Sequence, residues 1–246
     1  MFNFKTAMLF AAFTLVTTAC AGYESLGPTM EETFSENDAL ASDGTGEQTA
    51  AEIIPAPAPL PQPQEQALLS KYDHLDPGHE VPTDLLKKAV LYFDANQAKF
   101  PNKNYISVID FAKNSKQKRF FIIDLKTGKV WGIHTAHGKG SDPNHDGLAD
   151  SFSNTANSNK SSLGVYKTAE TYTGKHGRSL RLDGLSSTNS NVRARAIVIH
   201  GASYVSEASV IQGRSFGCPA VAENLKDKVI DQLKGGSMIY AGLSAQ

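Results

Sequence analysis

Two short stretches carry the residues best suited to chemistry in this chain. The first is an apolar run at residues 197–199 that ends on His200, which predicts a buried strand delivering an imidazole to its end. The second is a glycine-flanked turn at residues 213–217, which places Cys218 directly after it. A cysteine with a histidine nearby to take its proton is the arrangement that acyl transfer through a covalent intermediate needs.

The segment after Cys218 has the features of a helix start. Pro219 suits the first helical position, and the apolar spacing predicts a helix over Val221–Lys234. The partial positive charge of a helix N-terminus would favour the thiolate form of Cys218. Because the turn precedes this helix, its backbone N–H groups are the natural donors to an oxyanion. These donors belong to Phe216, Gly217 and Cys218.

The same turn also matches the G-x-S-x-G elbow of serine hydrolases, with Ser215 as the nucleophile. In that fold the serine comes first along the chain, followed by the acid and then the histidine. All seven histidines of this chain precede Ser215, so we reject the serine hydrolase interpretation.

The N-terminus predicts export. Residues 1–21 combine an apolar run with small residues before Cys20, as in a secretory signal. Lipidation of Cys20 and ordinary cleavage near Ala19 or Ala21 both remain open. The expected location is the periplasm or cell envelope, with a membrane anchor if Cys20 is lipidated. Cys218 is then a lone thiol where cysteines usually pair, which indicates a reactive cysteine.

Composition divides the remainder of the chain. Residues 22–70 are predicted to be a disordered linker, since residues 6–70 contain no Lys or Arg and nine acidic residues, and residues 55–63 are rich in proline. Residues 71–246 are the predicted catalytic domain, with 23 Lys and Arg against 16 Asp and Glu. A modestly basic domain suits an anionic polymer, but most such charges simply form a solvated face. The lack of an arginine-rich helix or an aromatic platform argues against nucleic acid as a partner.

The periodicity predicts a mostly β domain with peripheral helices. Thr83 is a predicted cap for a helix whose apolar face is Leu86, Ala89, Val90 and Phe93. Six further stretches are predicted strands: 105–111, 119–125, 130–136, 163–168, 196–200 and 238–241. Many short strands with two peripheral helices favour a sandwich or barrel-like fold.

Four further residues are candidates for substrate binding. His137 lies in a glycine-bracketed loop after a strand and could face the cleft. Arg214 and Ser215 lie beside the cysteine turn, and the planar fork of Arg214 could hold a substrate carboxylate. Arg181 lies on a predicted strand, where it either contacts substrate or forms a structural ion pair together with Asp183.

The loop at residues 141–153 is a candidate calcium site. Its oxygen-bearing residues match several positions of a calcium loop, but Ser153 stands where a bidentate Glu is usual. The candidate ligands are Asp142, Asn144, Asp146 and Asp150. The alternative is an ordinary turn rich in Asp, Asn and Gly. A bound calcium would stiffen the loop, and the cysteine chemistry itself requires no cofactor.

The sequence Ser-Phe-Gly-Cys-Pro-Ala at residues 215–220, preceded by His200-Gly201, resembles the active-site signature of the YkuD-type L,D-transpeptidases of peptidoglycan. More narrowly, it is similar to the murein L,D-transpeptidase catalytic domain family. The resemblance covers roughly residues 83–242 and differs at Phe216, where the common signature has histidine. Further similar stretches are residues 106–111, 136–140, 160–164 and 179–184.

This resemblance implies a sandwich or barrel-like catalytic domain in which His200 is the general base and the Gly201 carbonyl orients it. It implies that Cys218 is acylated by a peptidoglycan stem peptide and passes the acyl group to a stem amine, forming a cross-link. Two alternatives stay open. The same site could serve an L,D-carboxypeptidase or endopeptidase, or the chain could be a catalytically idle wall-binding lipoprotein. The intact Cys–His pair argues against the idle protein, and Phe216 keeps it open.

Overall fold

The structure is a computed structural model and describes residues 61–245. The predicted signal segment with Cys20, and the predicted linker up to residue 60, lie outside the described residues. Within residues 61–245, no helix is both long enough and apolar enough to cross a membrane.

Eight strands form one sheet in the described part of the chain. They are β1 (Tyr105–Asp110), β2 (Phe120–Asp124), β3 (Val130–Ile133), β4 (Gly164–Gly174), β5 (Gly177–Gly184), β6 (Val198–Ala202), β7 (Val221–Ala222) and β8 (Met238–Gly242). Their order across the sheet is β3-β2-β1-β8-β4-β5-β6-β7. The pairs β1–β8 and β6–β7 are parallel, and the other neighbours are antiparallel.

The two edges of this sheet approach each other. After β3 the chain runs beside the segment that leads into β7, where the Ala136 N–H donates to the Ala220 carbonyl at 2.9 Å. Gly138 also forms a β-bridge with Ser215. The sheet is therefore nearly closed and barrel-like, which confirms the predicted mostly β fold class.

Successive side chains of a strand point to opposite faces of the sheet, and apolar side chains are buried on both faces. In β2, Phe120 and Ile122 belong to one apolar cluster, while Phe121 and Ile123 belong to the other. Helix α2 (Thr83–Ala95) packs in the second cluster and helix α3 (Lys226–Leu233) in the first. Continuous apolar strands of this kind are expected where both faces of a sheet are covered.

The end of the predicted linker is folded, so the prediction of disorder is wrong for its last residues. Helix α1 spans Gln62–Ser70. The Glu65 carboxylate lies 2.5 Å from the Lys87 ammonium of α2, and Leu68 and Leu69 pack against the second cluster. An isolated helix this short is marginal in water, so these tertiary contacts explain why composition alone did not predict it.

Helix α2 differs from the prediction in its cap and in one core position. Its N-cap is Pro82, and Thr83 is the first helical residue without a side-chain cap. Leu85 is completely buried, whereas the predicted core residue Leu86 is only partly buried. The remaining buried residues of the helix are Ala89, Val90 and Phe93, as predicted.

The segment after Cys218 also differs from the prediction. Val221 and Ala222 form β7, and α3 starts only at Lys226, so the predicted helix over Val221–Lys234 is wrong in its first part. The apolar residues before α3 are used in parallel pairing with β6 instead of a first helical turn.

We predict that replacement of Leu85 by alanine lowers the free energy of unfolding by about 2–5 kcal/mol, because it opens a cavity between α2 and the sheet. Leu86→Ala is the matched control and should cost only about 1 kcal/mol, since this side chain is partly exposed. Urea unfolding of both variants measures the difference. Equal losses in the two variants would contradict the helix register described above.

Candidate active site

Cys218 lies next to the strand that carries His200. Strands β6 and β7 are parallel, and their register, continued back along the chain, puts Cys218 opposite Val198. The Cys218 Sγ is 3.5 Å from the backbone nitrogen of Val198, which donates to it, and 3.9 Å from the Ala196 carbonyl oxygen. The Val198 N–H stabilises the thiolate, whereas donation from the thiol to the Ala196 carbonyl stabilises the thiol.

The imidazole of His200 is buried, and its Nδ1 is hydrogen-bonded to the backbone. Its Nδ1 lies 2.9 Å from the carbonyl oxygen of Gly201, which is the contact that the family resemblance implies. Because a carbonyl only accepts, Nδ1 carries a proton, and the neutral form of the ring has its lone pair on Nε2. Val198 and His200 are two residues apart on β6, about 7 Å along the strand, and they face the same side. The thiol therefore contacts the same strand that carries the His200 imidazole two residues further along.

A second histidine stacks on His200. The ring of His176 lies 4.2 Å from the His200 ring, centroid to centroid, at an interplanar angle of 26°. His176 belongs to the turn between β4 and β5, and it approaches His200 because β5 pairs directly with β6. No pattern in the sequence pointed to this contact, which arises only from the pairing of distant strands. The stacked ring restricts the orientation of the His200 imidazole.

Ser215 holds the turn that carries Cys218. Its hydroxyl is buried, donates to the Cys218 carbonyl at 2.7 Å and accepts from the Gly217 N–H at 3.0 Å. Its backbone N–H donates to the His137 carbonyl at 2.8 Å. The hydroxyl is therefore engaged within the turn, and substrate binding by Ser215 stays a prediction.

The predicted oxyanion donors need one correction. The Gly217 N–H is directed to the Ser215 hydroxyl, and α3 begins well after Cys218, so no helix N-terminus supports the thiolate. Gly217 has a φ of +122°, and an added Cβ would lie 2.7 Å from the Lys160 carbonyl oxygen, so this position requires glycine. Donation to an oxyanion by the N–H groups of Phe216 and Cys218 stays a prediction.

His137 is buried between two charged side chains. The Arg119 guanidinium donates to Nδ1 at 2.9 Å, and Nε2 donates to the Asp142 carboxylate, also at 2.9 Å. Both ring nitrogens are used inside the protein and the side chain is 1% exposed. Both contacts hold the ring inside the protein, and substrate contact by His137 stays a prediction from the sequence. His137 joins the segment that follows β3 to the loop that contains Asp142.

The charges of this network are set by burial. Burial, and then the positive charge of Arg119, lowers the pKa of His137 to about 4, so the ring is neutral at neutral pH. Burial also lowers the pKa of Arg119 to about 9, which leaves the guanidinium charged. Burial alone would raise the pKa of Asp142, but hydrogen bonds from His137 and from backbone N–H groups of its own loop lower it.

The predicted calcium loop is built around the Asp142 carboxylate. Besides His137, this carboxylate accepts the N–H groups of Asp146 and Gly147, each at 3.1 Å, and Asn144 donates to the Asp146 carboxylate at 3.0 Å. Over residues 61–245, no group of three or more His, Cys, Asp or Glu residues is placed to hold a metal ion. These hydrogen bonds within the loop give its Asp and Asn side chains a structural role that needs no bound ion. Calcium binding by Asp142, Asn144, Asp146 and Asp150 stays a prediction from the sequence.

Arg181 and Asp183 form ion pairs, though not with each other. The Arg181 Nε lies 3.2 Å from a carboxylate oxygen of Glu170, and its guanidinium lies 4.3 Å from the centre of the Tyr172 ring. Asp183 pairs with Arg193, with 2.5 Å between Oδ1 and Nε. The geometry favours the structural alternative for both residues.

Arg214 and Phe216 lie in the turn that precedes Cys218. The Arg214 guanidinium donates to the backbone carbonyl of Asp142, so the predicted capture of a substrate carboxylate stays a prediction. Phe216, which stands where the common signature has histidine, lies under the exposed ammonium of Lys139, with Nζ 4.5 Å from the ring centre. A phenyl ring offers no N–H, but this cation–π contact keeps a positive charge beside the turn.

The comparison with protein-family models agrees with the fold class. Residues 78–241, which are more than half of the chain, match the family model of the L,D-transpeptidase catalytic domain. The chain therefore belongs to the L,D-transpeptidase catalytic domain family, which confirms the resemblance. The solved structure of Bdellovibrio bacteriovorus Bd1075 is similar at 15% identity and a TM-score of 0.34, over 59% of this chain and 49% of that chain. A search of curated proteins found no match.

The lowered pKa of His137 predicts that the folded protein loses stability as the pH falls. The unfolded chain takes up the imidazole proton near pH 6.5, whereas the folded protein takes it up only near pH 4. Between these values the unfolded state binds more protons, so the free energy of unfolding should fall by roughly 3 kcal/mol as the pH falls from 6.5 to 4. Urea unfolding across this pH range measures the loss.

Two variants isolate the contribution of His137. His137→Gln should remove most of this pH dependence, because glutamine does not titrate. His74→Gln is the control and should retain it, since His74 is exposed and bonds only the Leu125 carbonyl among the contacts described. The same pH dependence in the wild type and in His137→Gln would contradict a neutral His137.

Proposed function

We propose that this protein is a peptidoglycan L,D-transpeptidase that works through an acyl-enzyme on Cys218. The family to which the chain belongs supports peptidoglycan stem peptides as the substrate class. One observation carries the proposal: the Cys218 thiol lies beside β6, the strand on which the Gly201 carbonyl orients the His200 imidazole through Nδ1. A nucleophile and a base on one rigid element are the minimum that cysteine acyl transfer requires.

In the first step His200 Nε2 takes the thiol proton, and the Cys218 sulfur attacks the carbonyl carbon that joins the L-centre of a diamino acid to the terminal D-alanine. A C–S bond forms and the carbonyl oxygen becomes negative. When the tetrahedral intermediate collapses, the C–N bond breaks and the His200 imidazolium gives its proton to the leaving amine. The products of this step are free D-alanine and a thioester on Cys218.

In the second step the amine of another stem peptide attacks the thioester carbon. His200 takes a proton from this amine, a new C–N bond forms, and the sulfur leaves as the C–S bond breaks. The proton returned by His200 restores the thiol, and the product is a cross-link between two stems. Water in place of the amine would give a shortened stem, which is the hydrolase alternative. Both steps balance without a metal or an organic cofactor.

We also propose that this reaction takes place in the cell envelope. The apolar segment before Cys20 is typical of a secretory signal, and the proposed substrate is a polymer outside the cytoplasm. Lipidation of Cys20 would tether the domain to a membrane through residues 22–61, which precede α1. Ordinary cleavage near Ala19 or Ala21 would leave the same domain in the periplasm.

Incubation of the purified chain with a disaccharide-tetrapeptide should give a cross-linked dimer and free D-alanine, measured by liquid chromatography and mass spectrometry. Cys218→Ala should give no product, and His200→Gln should be slower by about a hundredfold or more, because general base catalysis is lost. His74→Gln replaces an exposed histidine and should react like the wild type.

The product decides between the alternatives. A shortened stem without dimer would replace the transpeptidase by a carboxypeptidase with the same nucleophile. If the folded wild type gives no product from tetrapeptide or pentapeptide donors, both enzymatic proposals fail and the wall-binding alternative gains support. Full activity in His200→Gln would reject His200 as the base.

A further inference from the structure

A half-buried arginine that no sequence motif singled out lies at the start of β6. Arg195 belongs to the turn before this strand, and its guanidinium makes four hydrogen bonds. Nη1 donates to the Ser153 carbonyl at 2.7 Å and to the Ser162 hydroxyl at 2.6 Å. Nη2 donates to the Lys160 carbonyl at 2.6 Å and to the Ser158 hydroxyl at 3.2 Å. All four acceptors are neutral oxygens.

The neighbouring arginine shows how different this environment is. Arg193, two residues earlier, bonds the carboxylates of Glu170 and Asp183 at the surface, and these contacts raise its pKa. Burial instead lowers the pKa of Arg195, although the guanidinium stays charged at neutral pH. A desolvated cation whose hydrogen bonds all go to neutral oxygens favours a negative charge nearby.

The geometry directs this charge toward the cysteine turn. A Cβ added at Gly217, the residue before Cys218, would lie 3.4 Å from Arg195 Nη2. The Lys160 carbonyl that holds Nη2 is itself 2.7 Å from the same point. The Cys218 Sγ in turn contacts the carbonyl of Ala196, the residue after Arg195. The Arg195 guanidinium therefore lies beside Gly217, the residue before Cys218. The Cys218 thiol lies beside Ala196, the residue after Arg195.

Electrostatics agree with this arrangement. A negative charge on Cys218 interacts favourably with the Arg195 guanidinium. Burial above all, and to a lesser extent the same charge, raises the pKa of Tyr166, a nearby phenol whose hydroxyl donates to the Ser162 carbonyl at 2.5 Å. Cys218 is thus the group near Arg195 that can carry a stabilised negative charge at neutral pH.

We propose that Arg195 is a positioning residue that shifts Cys218 toward the thiolate and fixes the turn that presents it. This role takes the place of the helix N-terminus that the sequence predicted and the fold does not provide. The inference rests on the proposed function of Cys218 as the nucleophile. It concerns the protonation state of the free enzyme, however, so it can be measured without substrate.

The test is the pH dependence of alkylation of Cys218 by iodoacetamide, followed by intact mass from about pH 5 to about pH 10. The wild-type rate should reach half its maximum well below pH 8.5, the approximate midpoint of an ordinary thiol. Arg195→Gln should move this midpoint upward and slow alkylation at pH 7 by about tenfold or more. Arg195→Lys keeps the charge and should stay close to the wild type. Arg193→Gln, the surface control, should not change the profile.

Two results would overturn the inference. A wild-type midpoint at or above that of an ordinary thiol would show that no group stabilises the thiolate. Equal upward shifts in Arg195→Gln and Arg195→Lys would assign the effect to lost hydrogen bonds rather than to charge. Circular dichroism establishes folding, and if Arg195→Gln does not fold, the wild type and Arg195→Lys decide. A low midpoint in a protein that forms no product would reject the proposed function and leave this inference standing.

Discussion

The parallel pairing of β6 with β7 is the constraint on which the site depends. Its register sets Cys218 opposite Val198, so a backbone N–H points at sulfur, and it leaves His200 two residues further along the same strand. The pairing also requires the chain after Cys218 to stay extended, because the turn must lead directly into a strand at the sheet edge. The proposed nucleophile and the proposed base are therefore held next to the same strand by main-chain hydrogen bonds, and the Ser215 hydroxyl also holds the turn that carries Cys218.

Two groups of charged side chains lie near this edge of the sheet. On one side, Arg119 and Asp142 carry opposite buried charges across a neutral His137, and the His137 carbonyl receives the N–H of the cysteine turn. On the other side, Arg195 bonds only neutral oxygens and lies beside the residue before Cys218. The opposite charges of Arg119 and Asp142 hold the scaffold together. The Arg195 guanidinium has only neutral acceptors, so we propose that its charge acts on the Cys218 thiol.

Most strands could be predicted from the sequence, because strand periodicity is local. Cys218 and His200 could be selected as candidates, because an unpaired cysteine in a chain predicted to be exported is informative by its residue type. The strand at Val221 could not be predicted, because a short apolar run is compatible with an edge strand as well as with the first turn of a helix. His137 looked accessible because glycines flank it, but the contacts that bury it come from Arg119 and Asp142. Arg195 was missed because its four acceptors lie more than thirty residues away along the chain.

Mapping the covalent adduct tests the central claim most directly. The purified chain is mixed with a disaccharide-tetrapeptide, quenched in acid to preserve a thioester, digested and sequenced by mass spectrometry. The account predicts a donor lacking its terminal D-alanine attached to Cys218, and no adduct in Cys218→Ala. An adduct on any other residue, or one that persists in Cys218→Ala, would contradict the assignment of Cys218 as the nucleophile.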